Sequence, residues 1–101
     1  MTIRDIIGFD WDQANREKSW LRHAIKWSES EQVFFNEPIF VFPDVTHSAS
    51  EDRFHALGKT NVGKLLFICF TFRGSSIRII SARPMSRLER KHYEKNVEKN
   101  S

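Results

Sequence analysis

The chain has 101 residues, of which 40% are hydrophobic and nine are Phe, and its formal net charge is +3. This length suits one domain and the Phe content can build a core, which excludes wholesale disorder. No apolar run approaches the roughly 20 residues of a membrane helix. The start, MTIRDIIGFDWD, has no long apolar stretch of the secretory kind. The single cysteine, Cys69, excludes an internal disulfide and a cysteine-based zinc site. The expectation is therefore a cytoplasmic protein with one domain over residues 1–98 and a disordered tail over 99–101.

Charge is unevenly spread. Residues 73–101 hold eight Lys/Arg against three Asp/Glu, whereas residues 1–72 hold eight against ten. A basic C-terminal third points to a polyanionic partner, although a solvated basic helix has the same composition.

In chain order, Ile6–Trp11 alternates as a short strand. Asp12 can cap a helix whose inward residues are Ala14, Leu21 and Ile25. Ser28-Glu29-Ser30-Glu31 reads as a capping box opening a second helix through Val33-Phe34-Phe35, which Asn36-Glu37-Pro38 ends. Ile39–Phe42 is a brief strand and residues 44–52 are a polar loop. In the strand Arg53–Lys59, Phe54, Ala56 and Gly58 share one face, and Arg53, His55, Leu57 and Lys59 the other. After a turn at Asn61–Gly63, Lys64–Phe72 is apolar on both faces, as in a covered central strand. The turn Arg73-Gly74-Ser75 leads into a strand over 76–82 that Pro84 breaks. Ser86-Arg87-Leu88-Glu89 is another capping box; the last helix should fray after Val97.

The order β-α-α-β-β-β-β-α predicts an α+β domain with a mostly antiparallel sheet of four to five strands and helices on one face. Strand 64–72 wants cover on both faces, so a partner chain is expected over the second.

No metal motif is present: His23, His47, His55 and His92 lack ligand spacing, and Asp10 and Asp12 serve better as caps than as magnesium ligands. Cys69 reads as a core residue. The arginines are the stronger signal, because a guanidinium keeps its charge and must meet water, an acid or an anion. Arg78 and Arg83 lie five apart in one strand and would point oppositely unless that strand twists or ends early. With Arg53 on a neighbouring strand and Lys59 or Lys64 nearby, they exceed what Asp44, Glu51 and Asp52 readily neutralise, which suggests a phosphate site. Trp11, Trp20, Trp27 and Tyr93 are candidate platforms for stacked bases.

The runs FDWD, RHAIKWSESEQVF, DRFHALGKTNVGKLLFICFTFRG and IRIISARPMSRLERKHYE resemble the BrnT family, toxins of type II toxin–antitoxin modules with a RelE-like ribonuclease fold. Arg53, Arg78, Ser81, Ala82, Arg83, Glu89 and Tyr93 match the family pattern. Its helical N..KHG becomes Ser19, Arg22, His23 and Ala24, and a lysine after its WD becomes Asn15. The resemblance implies RNA cleavage without metal or other cofactor, by attack of a ribose 2′-hydroxyl on its own phosphate. Arg53, Arg78 and Arg83 would hold the phosphate, and His23 or Tyr93 would move protons. Lys59, Lys64, Arg87, Arg90 and Lys91 would bind RNA. The implied partner is a BrnA antitoxin that masks the toxin and carries a ribbon-helix-helix part; operator DNA would be reached only through it, and no membrane is involved. The alternative is a catalytically silent basic module that binds a protein or nucleic acid.

Overall fold

A computed structural model describes residues 8–11, 13–47 and 51–99. Its strands are β1 (Gly8–Asp10), β2 (Phe40–Pro43), β3 (Arg53–Lys59), β4 (Leu65–Arg73) and β5 (Ser76–Pro84); its helices are α1 (Gln13–His23), α2 (Trp27–Gln32) and α3 (Arg87–Lys99). Single 3-10 turns occupy Val33–Phe35 and Val45–His47. The strands form one sheet in the order β1-β5-β4-β3-β2, antiparallel except for the parallel pairing of β1 with β5. The α+β expectation holds, with five strands.

Alternation along β4 sorts two cores. Leu66, Ile68 and Phe70 face the first, with Ile25, Val33, Phe34, Ala56, Ile77, Ile79 and Ala82. Phe34 meets Phe70 edge-on at 5.0 Å, the favoured contact between ring edges and faces. Leu65 and Phe67 face the second core, where Leu57, Met85 and Tyr93 are buried and Phe40 and Val97 pack against them. The three helices therefore do not share one face: α3, through Tyr93 and Val97, covers one end of the second. The chain itself supplies cover at that end of the face expected to take a partner.

The β4–β5 hairpin turns at Gly74, whose φ of 60° is a conformation open mainly to glycine. Pro84 does not break β5; it is the strand's last residue, opposite Leu66. β1 pairs only with residues 76–78, so this end of β5 has no strand on its outer flank and a missing N–H is tolerated. The Ser86 box forms as expected: Ser86 Oγ accepts from Glu89 N–H at 3.2 Å, and Glu89 Oε1 accepts from Ser86 N–H at 2.8 Å. α3 then runs to Lys99, beyond the expected fraying point and into the expected tail, whose last two residues lie outside the described ones.

The N-terminal third departs more. Ile6, Ile7 and the Asp12 cap lie outside the described residues, as does the Ala14 side chain. α2 starts at Trp27: Glu29 Oε1 accepts from Lys26 N–H at 3.0 Å, which also holds the Glu29 carboxyl below its ordinary range. Ser28 falls inside the helix, and Glu31 accepts from Trp11 Nε1 at 2.6 Å. Leu21, expected inward, is 79% exposed, while Ile25 is buried beyond the end of α1. The cause is Ala24, whose φ of 55° ends the helix and redirects the chain so that Ile25 enters the core. An L-residue with a Cβ is disfavoured in this left-handed conformation by roughly 1–2 kcal/mol. Ala24→Gly should therefore stabilise the fold by about 1 kcal/mol after its greater unfolded-state entropy is counted. A rise in the urea midpoint checks this; a fall would show that Ala24 is not strained.

Candidate functional site

Residues five apart on a regular strand face opposite ways, and β5 is not regular. Cys69 pairs with Ser81 but Phe70 pairs with Ile79, which leaves Ile80 as an extra residue at a β-bulge. The bulge shifts the alternation by one, so Arg78, Ser81 and Arg83 share a face. Registers across the sheet then align three rows on that face. One is Arg53–Thr71–Arg78–Asp10, the next Phe42–His55–Cys69–Ser81, and the third Phe40–Leu57–Phe67–Arg83. The second core occupies the last row, and the other two make the candidate site. Arg53 and Arg78 flank Thr71 with their Cα atoms roughly 10 Å apart, two strand spacings. Thr71 is buried and its hydroxyl donates to Asp52 O at 2.6 Å.

The three arginines differ in their engagement. Arg83 makes a two-pronged pair with Glu89, at 2.7 and 2.8 Å, and its guanidinium carbon lies 4.1 Å from the Phe67 ring centre. Arg78 faces Asp10 at 3.5 Å, beyond the range of a strong charge-assisted bond, and Asp10 is itself well exposed. Arg53 ends the row on β3 and is partly exposed. α1 packs against β5 and ends beside Pro84 and Met85. This brings the Lys18 charge close enough to act on Cys69.

Glu89 thus serves two groups, Arg83 and the N-terminus of α3. The Arg83 guanidinium, ahead of the Ser86 amide, holds its carboxyl below the ordinary carboxylate range although burial opposes this. A carboxyl depressed in the folded state stabilises fully above its unfolded pKa of about 4.3, and that contribution is lost as pH falls through the folded value. Glu89→Ala should cost about 1–2 kcal/mol at neutral pH, most of it from the lost cap because Arg83 is partly solvated. The difference from the parent should shrink as unfolding is measured at decreasing pH below 4; a gap independent of pH would remove the ionic part.

Sequence reasoning assigned proton transfer to His23 or Tyr93, and Tyr93 packs in the second core against Phe40, on the row that ends at Arg83. Tyr93 is 4% exposed and its hydroxyl donates to Pro38 O at 2.8 Å; burial pushes its pKa up. His23 lies at the end of α1 in a depression of about 510 Å³ with Lys64, Leu65, Pro84 and Arg90. Lys64 there pairs with Glu29 at 3.1 Å. Lys59 ends β3 opposite Leu65. Arg87 is exposed in the first turn of α3, and Lys91 lies on that helix beside Leu88 and Lys95. The RNA-binding set is thus spread over one sheet end and α3 rather than gathered at the arginine row.

The imidazole that does lie on the arginine face is His55. Its Nε2 is 3.0 Å from Asp44 Oδ2, and its ring lies 4.6 Å from the Phe67 ring, tilted by 47°. Cys69 is its cross-strand neighbour; burial pushes the thiol pKa up, and the Arg53 charge pulls it back in part. The signal for His55 was present in the strand pattern, which set it on the same face as Arg53. Its acid partner, from the far side of a loop, was not legible. Trp11, Trp20 and Trp27 line a separate hollow of about 770 Å³ with Arg16, whose guanidinium carbon is 4.9 Å from the Trp27 ring centre. Trp11 packs against the first core, so these rings belong to the helical layer, apart from the arginine rows.

Among known proteins, a family model described as "Ribonuclease toxin, BrnT, of type II toxin-antitoxin system" matches residues 11–89. The crystal structure of the Brucella abortus ribonuclease toxin, BrnT, is similar with a TM-score of 0.61 and 24% identity, over 79% of this chain and 97% of that one. At that identity the likeness speaks for the fold alone. Comparison with curated proteins finds no match.

Proposed function

We propose, from the premise that this chain belongs to the BrnT family of ribonuclease toxins of type II toxin–antitoxin systems, that it is a metal-independent endoribonuclease whose phosphate grip is Arg53 and Arg78. The observation that carries this is the row Arg53–Thr71–Arg78, with Arg83 on the same face through the bulge at Ile80. In-line attack of a 2′-hydroxyl builds negative charge on the phosphate oxygens, and two guanidiniums that flank Thr71 in one row of a rigid sheet meet it without rearrangement. Arg83 contributes from two rows along the same face as a held cation, oriented by Glu89. His55, oriented by Asp44 through Nε2, takes the 2′-hydroxyl proton on Nδ1, an imidazole being the side chain most often used as a general base. The leaving 5′-oxygen then takes a proton from the imidazolium or from water.

A type II toxin implies an antitoxin. In our reading a BrnA-like protein lays acidic side chains over the same arginines, excluding RNA, and the pair binds operator DNA through the antitoxin. Cytoplasmic action follows from an RNA target; no helix among the described residues is long and apolar enough to cross a membrane.

The test is a digest of a defined RNA by the purified chain with EDTA present. Products ending in 2′,3′-cyclic phosphate are expected. The competing reading, a silent binding module, is favoured by the Arg83–Glu89 pair and by the family asparagine and glycine becoming Ser19 and Ala24. It predicts intact RNA together with measurable RNA or antitoxin binding.

A further inference from the structure

The arginine face also carries a cluster that the ribonuclease reading does not need as a set. Asp44 follows β2, His55 is in β3 and Cys69 is in β4, so three successive strands each bring one metal-ligating group. The carboxylate, imidazole and thiol atoms all lie within 4.8 Å of one another, and Asp44 and Cys69 are only 6% and 9% exposed. One cysteine was expected to exclude a cysteine-based zinc site, but strand pairing places a carboxylate and an imidazole beside it; we propose that Asp44, His55 and Cys69 form a three-ligand site for a zinc-class transition-metal ion, with water as the fourth ligand.

Geometry and charge both support this. Zinc bonds of about 2.0–2.1 Å to nitrogen and oxygen and 2.3 Å to sulfur set tetrahedral ligand atoms roughly 3.3–3.7 Å apart. The observed 3.0 Å between His55 Nε2 and Asp44 Oδ2, and the 4.8 Å limit for the set, bracket that spacing. A thiolate with an imidazole and one carboxylate suits zinc or cobalt, whereas magnesium and calcium want oxygen. A divalent ion with one carboxylate and one thiolate is neutral overall, which a largely buried position favours. On binding, Cys69 releases its Sγ proton to solvent as the sulfur–metal bond forms. His55, whose Nε2–H donates to Asp44, gives up that hydrogen bond and exchanges its ring proton through solvent from Nε2 to Nδ1, which frees the Nε2 lone pair to ligate. Filled, the site would tie the edge strand β2 to β3 and β4.

The experiment uses the full chain, stripped with chelator and titrated with Co²⁺ as a spectroscopic substitute for Zn²⁺. One equivalent should produce a near-ultraviolet thiolate-to-cobalt band and tetrahedral visible bands, all abolished by added Zn²⁺. Cys69→Ser should lose the near-ultraviolet band. It should also weaken binding by more than the about 10- to 100-fold that changes outside the ligand shell cost. Asp44→Asn should keep the band with weaker binding. Zn²⁺ should raise the Tm of the parent and leave that of Cys69→Ser unchanged. A folded parent with no thiolate band at one equivalent, or equal affinities for the parent, Cys69→Ser and His55→Gln, would overturn the site and leave Asp44–His55 an ordinary ion pair. A bound ion also removes His55 from proton transfer, so Zn²⁺ should suppress RNA cleavage. That consequence rests on the ribonuclease reading, whereas the binding does not. RNA left intact in the metal-free digest overturns the ribonuclease reading alone, and a missing cobalt band overturns the metal site alone.

Discussion

Arg78→Ala is expected to lower the rate of RNA cleavage by about 10²–10³-fold, the usual effect of removing one preorganised donor to developing negative charge. Fold stability should change little, because Arg78 is partly exposed and interactions of a partly solvated guanidinium, such as the 3.5 Å contact with Asp10, contribute little. The two readouts separate function from folding. Single-turnover cleavage of a defined RNA should collapse, while urea unfolding of the variant overlays the parent within about 0.5 kcal/mol. Arg78→Lys should recover only part of the rate, since an ammonium retains charge but lacks the planar fork that grips two phosphate oxygens. Expressed alone, the parent should arrest growth and the alanine variant should not. An Arg78→Ala protein that cuts RNA at the parental rate would end the assignment of this row to the phosphate.

Phe70→Ala should show the largest loss of stability, about 3–5 kcal/mol. Phe70 is fully buried in the middle of the central strand, paired with Phe54 on one side and Ile79 on the other. Its ring meets Phe34 at 5.0 Å, Phe72 at 5.5 Å and Phe54 at 5.7 Å. No single neighbour can move to fill the space, because each of these rings is held on a different side of it. Against a total of roughly 5–15 kcal/mol for a small domain, the loss would leave a substantial unfolded population at growth temperature. Phe70→Leu, which keeps much of the volume, should lose only about 1–2 kcal/mol. Chemical denaturation measures both. Equal, small losses would mean that this part of the core is loosely packed.

These predictions draw on different depths of the same sequence. The strand Arg53–Lys59 was legible to the residue, because alternation over seven positions separates Phe54, Ala56 and Gly58 from Arg53, His55 and Leu57. The Ser86 box was legible because Ser and Glu three apart satisfy each other locally, whatever the rest of the chain does. The same motif failed at Ser28, where Glu29 answered Lys26 N–H instead. Two overlapping boxes compete there, and only the chain's path into the helix decides between them. Leu21 was misassigned because the helical period was extended through Ala24, where one left-handed residue resets it.

By itself the sequence determined the α+β class, the two faces of β3, the cap of α3 and the family, since each depends on short-range pattern or on motifs read in line. Only the tertiary structure decided which cations meet. Arg78 and Arg83 share a face because Ile80 has no partner across β4, and a bulge of one residue reverses every side chain after it. Asp44 reaches His55 and Cys69 because β2, β3 and β4 lie side by side. Strand register sets contacts between residues far apart in sequence, and no local periodicity encodes it.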